Sequence, residues 1–132
     1  MTRGKAMIVV NRTKGKILAN RAGKAQTFFR RFAGLLFSRP PGEGEGLWIA
    51  PCGSVHTLGM RYPVDVLFLD TRGIAIGLYP ALPPNRVTRR FRNAMGALEL
   101  PGGVIAGTGT SLGDLVEFRE DGNGSSSGAP LP

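Results

Sequence analysis

The stretch PCGSVHTLGMRYPVDVLFLD, residues 51–70, holds the one cysteine and the one histidine of the chain, four residues apart. Met60 follows His56 at the same spacing, and Asp65 then interrupts an apolar run. These residue types could do three kinds of chemistry. A thiol beside an imidazole becomes a nucleophile when the ring lowers the thiol pKa and carries its proton. Cys, His and Met are also soft or borderline ligands, spaced here as in a copper loop. A carboxylate inside a strand can line a cleft, because burying it without donors costs several kcal/mol.

Each possibility competes with a structural one. A blue-copper centre needs a second histidine, and structural zinc wants four ligands, mostly Cys and His. Neither set is present, so no metal and no cofactor is expected. Thiol hydrolases rarely draw their pair from one four-residue loop. A small buried thiol beside a turn-capping histidine is therefore favoured over catalysis by Cys52 and His56, although Asp65 or Glu99 could orient the ring. Asp65 and Glu99 each sit in an apolar strand, PVDVLF and ALEL. They either accept backbone N–H groups of nearby turns or point together at one cleft, with His56, Arg61 or Arg31 as counter-charge. Asp114 reads as a turn residue after Gly113. The glycine-rich PGGVIAGTGTSLG lacks a Walker lysine and a following helix, so it reads as a loop rather than a phosphate cradle.

The elements that must position these residues are mostly strands. AMIVVN, about residues 6–11, is a β-branched run, and KILANRA beyond the Gly15 turn makes an antiparallel partner. In KAQTFFRRFAGLLF, Phe28, Phe32 and Leu35 or Leu36 recur at helical spacing, which predicts one amphipathic helix at about 26–34. LWIAP is a short strand. Residues 64–70 and 74–82, joined at Arg72-Gly73, read as a central hairpin buried on much of both faces. PPNRVTRRFRN reads as a mobile basic excursion, AMGALELP and DLVEF as strands, and residues 102–107 as one short helical turn.

At 132 residues, with 20 glycines and 10 prolines, the chain has the length of one domain with short elements. The expected organisation is a flexible 1–5, a globular 6–119 and a disordered 120–132. The net charge of +8 is lopsided: residues 1–42 carry ten Lys/Arg and no acid, and the other ninety carry seven against nine. Such asymmetry can mark a nucleic-acid or anionic-surface contact through Arg30, Arg31, Arg86, Arg89, Arg90 and Arg92, with Phe91 available for stacking. A solvated basic face is the simpler reading, since no recognition motif accompanies it. The apolar opening stretch is too short for a signal-peptide core or a membrane span, which points to the cytoplasm.

Several segments in this order resemble the prokaryotic family known as domain of unknown function 192, over roughly residues 6 to 119. The similarity rests on Trp48, on His56-Thr57, and on Met60, Pro63, Val64, Asp65, Val66 and Phe68. It continues through Leu98, Glu99, Leu100, Pro101 and Gly103, and ends at Gly113-Asp114. Many members carry a Trp-Met-Lys-Asn-Thr turn; this chain has Cys-x-x-x-His-Thr and resembles a variant bearing that pair. The resemblance implies a compact α+β, mostly β fold of crossed, barrel-like strands, and implies no activity. Together these readings favour a small monomeric, non-catalytic binding or accessory module. Its shallow cleft would lie near residues 52–65, lined by Cys52, His56, Arg61, Asp65 and Glu99, and would take a small molecule or a protein.

Overall fold

The computed structural model describes residues 7–25 and 41–120. The expected helix at 26–34, both termini, and Arg30 and Arg31 lie outside the described residues. Seven strands form one sheet: β1 (Met7–Asn11), β2 (Lys16–Ala25), β3 (Glu45–Ile49), β4 (Val64–Leu69), β5 (Ala75–Leu82), β6 (Gly96–Pro101) and β7 (Val116–Glu120). Their order is β5-β4-β6-β3-β2-β1-β7. Every neighbouring pair is antiparallel except β2 and β3, which run parallel from Arg21↔Glu45 to Ala25↔Ile49. The sheet curls into a half-barrel, and its two edges approach at a single bridge, Ile74↔Leu115. The mostly β architecture expected from glycine, proline and β-branched content is therefore the observed one.

One short helix, α1 (Val104–Thr108), is described. Gly103 and Gly109 at its two ends have φ of 103° and 70°, a left-handed backbone that glycine adopts without cost. This is the expected helical turn, displaced by a residue or two.

Successive side chains of a strand point to opposite faces, and the central strands use both. On β4, Leu67 and Leu69 join an apolar layer with Leu98, Leu100, Trp48 and Phe118. Val64, Val66 and Phe68 join a second layer with Ile49, Ala97 and Phe91. All six residues of β4 are buried, which is why the strand reads as an unbroken apolar run.

The basic segment 83–95 departs from expectation. It does not loop away from the body but lies along residues 52–59 as an irregular antiparallel zipper. Phe91 N–H donates to the Gly53 carbonyl at 2.8 Å, Thr88 N–H to Val55 at 2.9 Å, and Thr57 N–H to Arg86 at 2.8 Å. The side chains reinforce the pairing. Val55 N–H donates to Thr88 Oγ1 at 3.0 Å and Gly59 N–H to Asn85 Oδ1 at 3.1 Å. The physical reason is Phe91, which is buried against Phe68 with ring centroids 4.5 Å apart. An aromatic ring removed from water anchors the segment more strongly than its arginines solvate it.

Candidate functional site

The site is built on the two zipped loops. Residues 52–60 contain no helical turn; they run irregularly, with one bridge from His56 to Val87, and lead into the β4–β5 hairpin. Cys52 and Met60 belong to the apolar layer beneath. The Cys52 thiol donates to the Ser54 carbonyl at 3.1 Å. His56 is half-buried, and its Nδ1 accepts the Leu58 N–H at 3.3 Å. Each of the two reactive types thus has a hydrogen-bond partner two residues further along the chain, and each helps to shape the bend.

Thr57 holds the centre of this arrangement. Its side chain is fully buried, its hydroxyl donates to the Pro83 carbonyl at 2.7 Å, and the same oxygen accepts Arg86 N–H at 2.9 Å. The inward Thr57 and Thr88 leave Leu58 and Val87 outward, 47% and 66% exposed. Arg61, Arg86, Arg89, Arg90 and Arg92 are exposed around them. The Arg89 guanidinium lies 3.9 Å from the Phe91 ring centroid, a cation–π contact.

The two acids within the strands are separated. Asp65 pairs across the sheet with Leu100, and Val66 with Glu99. By strand alternation, Asp65 faces the layer of Leu67 and Leu100, and Glu99 faces the layer of Val66 and Phe68. The expectation that both could point into one cleft is corrected: they lie on opposite sides of the sheet. Asp65 is fully buried and accepts three backbone N–H groups, from Ala81 at 2.7 Å, Gly103 at 3.1 Å and Ile105 at 2.6 Å. It ties β5 and the start of α1 to β4. The Ala81 backbone stands at φ 49°, a left-handed conformation that costs a non-glycine residue energy and that its bond to Asp65 supports. Cys52, Glu99 and Met60 share one side of the sheet, while Asp65 occupies the other.

A second polar cluster, unmarked in the sequence except for Asp114, lies where the β1–β2 turn meets β7. Asn11, fully buried, donates through Nδ2 to Thr110 Oγ1 and to Asp114 Oδ2, each at 2.9 Å. Lys14 Nζ reaches the same carboxylate at 2.8 Å. Burial pushes Asp114 up, but bonds from Asn11, Lys14 and the Ser111 N–H, with the charge of Lys14, bring its carboxyl below the ordinary range. Glu117, also buried, binds both Arg12 at 2.9 Å and Arg119 at 2.7 Å. Every group in the cluster is satisfied internally. The one cue in the sequence was the run of hydroxyl and acid types in TGTSLGD, whose partner Asn11 is about a hundred residues away.

Among the described residues, no three His, Cys, Asp or Glu side chains gather as a metal ion would require. No described helix is long and apolar enough to cross a membrane.

The family called DUF192, described as "Uncharacterized ACR", matches residues 9–118. The chain belongs to the DUF192 family. A UPF0127 protein of Pyrococcus furiosus is 32% identical over 116 residues, covering 84% of this chain and 97% of that relative. Two solved structures share the DUF192 fold seen here. One, a protein of unknown function from Novosphingobium aromaticivorans, has a TM-score of 0.70 at 23% identity, covering 85% of this chain and 83% of its own. The other, a candidate transcription regulator from Sinorhizobium meliloti, has a TM-score of 0.71 at 19% identity, covering 89% and 96%. At those identities the likeness is one of fold.

Proposed function

We propose that this DUF192 protein is a small, monomeric, cytoplasmic binding or accessory module that works without catalysis. Its binding surface is the zipped pair of loops 52–62 and 83–92, centred on His56, and its Cys-x-x-x-His-Thr turn marks a variant within the family. The observation that carries this reading is the bonding of Thr57, Thr88 and Asn85, which fixes two irregular loops side by side while leaving Leu58, Val87 and five arginines outward. A preorganised surface loses little freedom when a partner docks. Asp65 and Glu99, earlier grouped with this surface, support it from within the sheet: Asp65 by holding β5 and α1, Glu99 from the layer under the loops.

The test is two-dimensional amide NMR during titration with small-molecule and peptide libraries. Shifts concentrated in residues 54–62 and 84–92 are expected. Silence there with shifts elsewhere would move the site. Catalysis by Cys52 and His56 predicts a thiol alkylated rapidly by iodoacetamide below pH 7. Labelling that accelerates only above about pH 8, as for an ordinary thiol, is the result expected here.

A further inference from the structure

We propose that the zipped loops are a docking surface for anionic phospholipid bilayers. This rests on the binding-module reading above and names the partner for the same surface. The first observation is charge. Loops 52–62 and 83–92 hold five arginines and no acid, whereas the rest of residues 43–132 holds two arginines and nine acids. Among the described residues none of Arg61, Arg86, Arg90 and Arg92 has an ion-pair partner, and the Arg89 guanidinium meets the Phe91 ring and the Arg90 carbonyl. Elsewhere in the described fold every arginine, Arg12, Arg21, Arg72 and Arg119, is paired with a carboxylate, as is Lys14, while Lys16 and Lys24 have no such partner among the described residues. Five guanidinium groups with no ion-pair partner among the described residues are complementary to a phosphate-rich surface.

The second observation is apolar. Leu58 and Val87, two of the four exposed large hydrophobic residues described, lie on facing segments: Val87 is the bridge partner of His56, and Leu58 follows His56 by two residues, in the loops that carry these arginines. Aliphatic tips on loops rich in cations suit the boundary between headgroups and acyl chains, where the tips enter and the cations meet phosphate. A nucleic acid would gain nothing from Leu58 and Val87. It would gain from a ring free to stack, and Phe91 is buried on Phe68, packed so closely over Gly77 that any side chain there would collide with the ring.

The experiment is co-sedimentation of the full chain with phosphatidylcholine vesicles and with vesicles of mixed phosphatidylglycerol and phosphatidylcholine. Binding is expected only to the mixed vesicles and should fall steeply with added salt. The variant R86A/R90A/R92A should bind about a hundredfold more weakly, from roughly fivefold per arginine near a charged surface. The variant L58S/V87S keeps the charge and should bind roughly tenfold more weakly. All substituted groups are exposed, and an unchanged melting temperature verifies folding; the salt titration of the unaltered chain tests the inference without any variant. Absence of binding to the mixed vesicles at low salt overturns it. So does full retention of binding by L58S/V87S, which signals a purely ionic contact such as a nucleic acid makes, or stronger binding to a single-stranded oligonucleotide than to vesicles. If vesicles fail but the loop amides respond to another ligand, the lipid inference falls and the binding-module reading stands; loops silent to every ligand remove both.

Discussion

Two regions of this molecule use charge in opposite ways. At the end where the β1–β2 turn meets β7, Arg12, Lys14 and Arg119 each meet a buried carboxylate, and Asn11 fills the remaining space with hydrogen bonds. At the zipped loops, five exposed arginines accompany two exposed aliphatic side chains and no acid is present in either loop. The first arrangement explains itself as structure, because each charge has a fixed role in joining strands. The second does not: the loops are held by Thr57, Thr88, Asn85 and Phe91, and the outward arginines contribute little to that holding. Charge without an internal use is the better pointer to an external partner.

The contrast can be tested by substitution. The largest effect should come from Asn11→Ala, which leaves the Lys14 N–H, Thr110 and Asp114 each short of a partner. Urea unfolding should show a loss of about 2 kcal/mol, the scale for buried polar groups stripped of a hydrogen bond. A loss below about 0.5 kcal/mol would mean the cluster is solvated rather than structural. The next effect is on acid stability. Asp114 and Asp70 both titrate below the ordinary carboxyl value of 3.8. At Asp70, burial pushes upward, but the Ile74 and Arg72 N–H groups and the Arg72 charge outweigh it. A depressed folded-state pKa gives stability that is present above the unfolded value and is lost as pH falls through the folded one. The melting temperature should therefore drop as pH falls below about 4. Asp114→Asn should lower the melting temperature at neutral pH and flatten that acid decline; an acid limb as steep as the parent's would place the titrating group elsewhere. The smallest effect is expected at the loops. Arg90→Ala and Arg92→Ala should change unfolding free energy by less than about 0.5 kcal/mol each. A substantial loss at either would make that arginine structural and erase the difference between the two regions.

Much of the fold was legible because its signals are local. The β4–β5 hairpin announced itself through an unbroken apolar run, a tight Arg-Gly connection and a second apolar run. The pair Met7–Asn11 and Lys16–Ala25 did so through Gly15 and β-branched residues. What escaped the sequence is pairing at long range. The parallel match of β2 with β3 has no local mark. Segment 83–95 reads as solvated by composition, and its anchors, Thr88 and Phe91, only become meaningful beside Val55, Gly53 and Phe68. The presence of a carboxylate at Asp65 required donors, and that requirement was visible. That the donors are Ala81, Gly103 and Ile105, up to 40 residues away, was not. Glu99 lies two places from the sheet partner of Val64, yet its side was decidable only from strand register.

The alternation along β4 also bears on how faithfully the chain finds its pairing. Were this strand to slide by a single position against β6, every residue would change sides. Leu67 and Leu69 would exchange layers with Val66 and Phe68 at modest penalty, since both sides are oily. Asp65 could not make the exchange, because its three N–H donors exist on one side alone. One ionic residue therefore discriminates between two alignments that the hydrophobic residues around it would nearly tolerate equally.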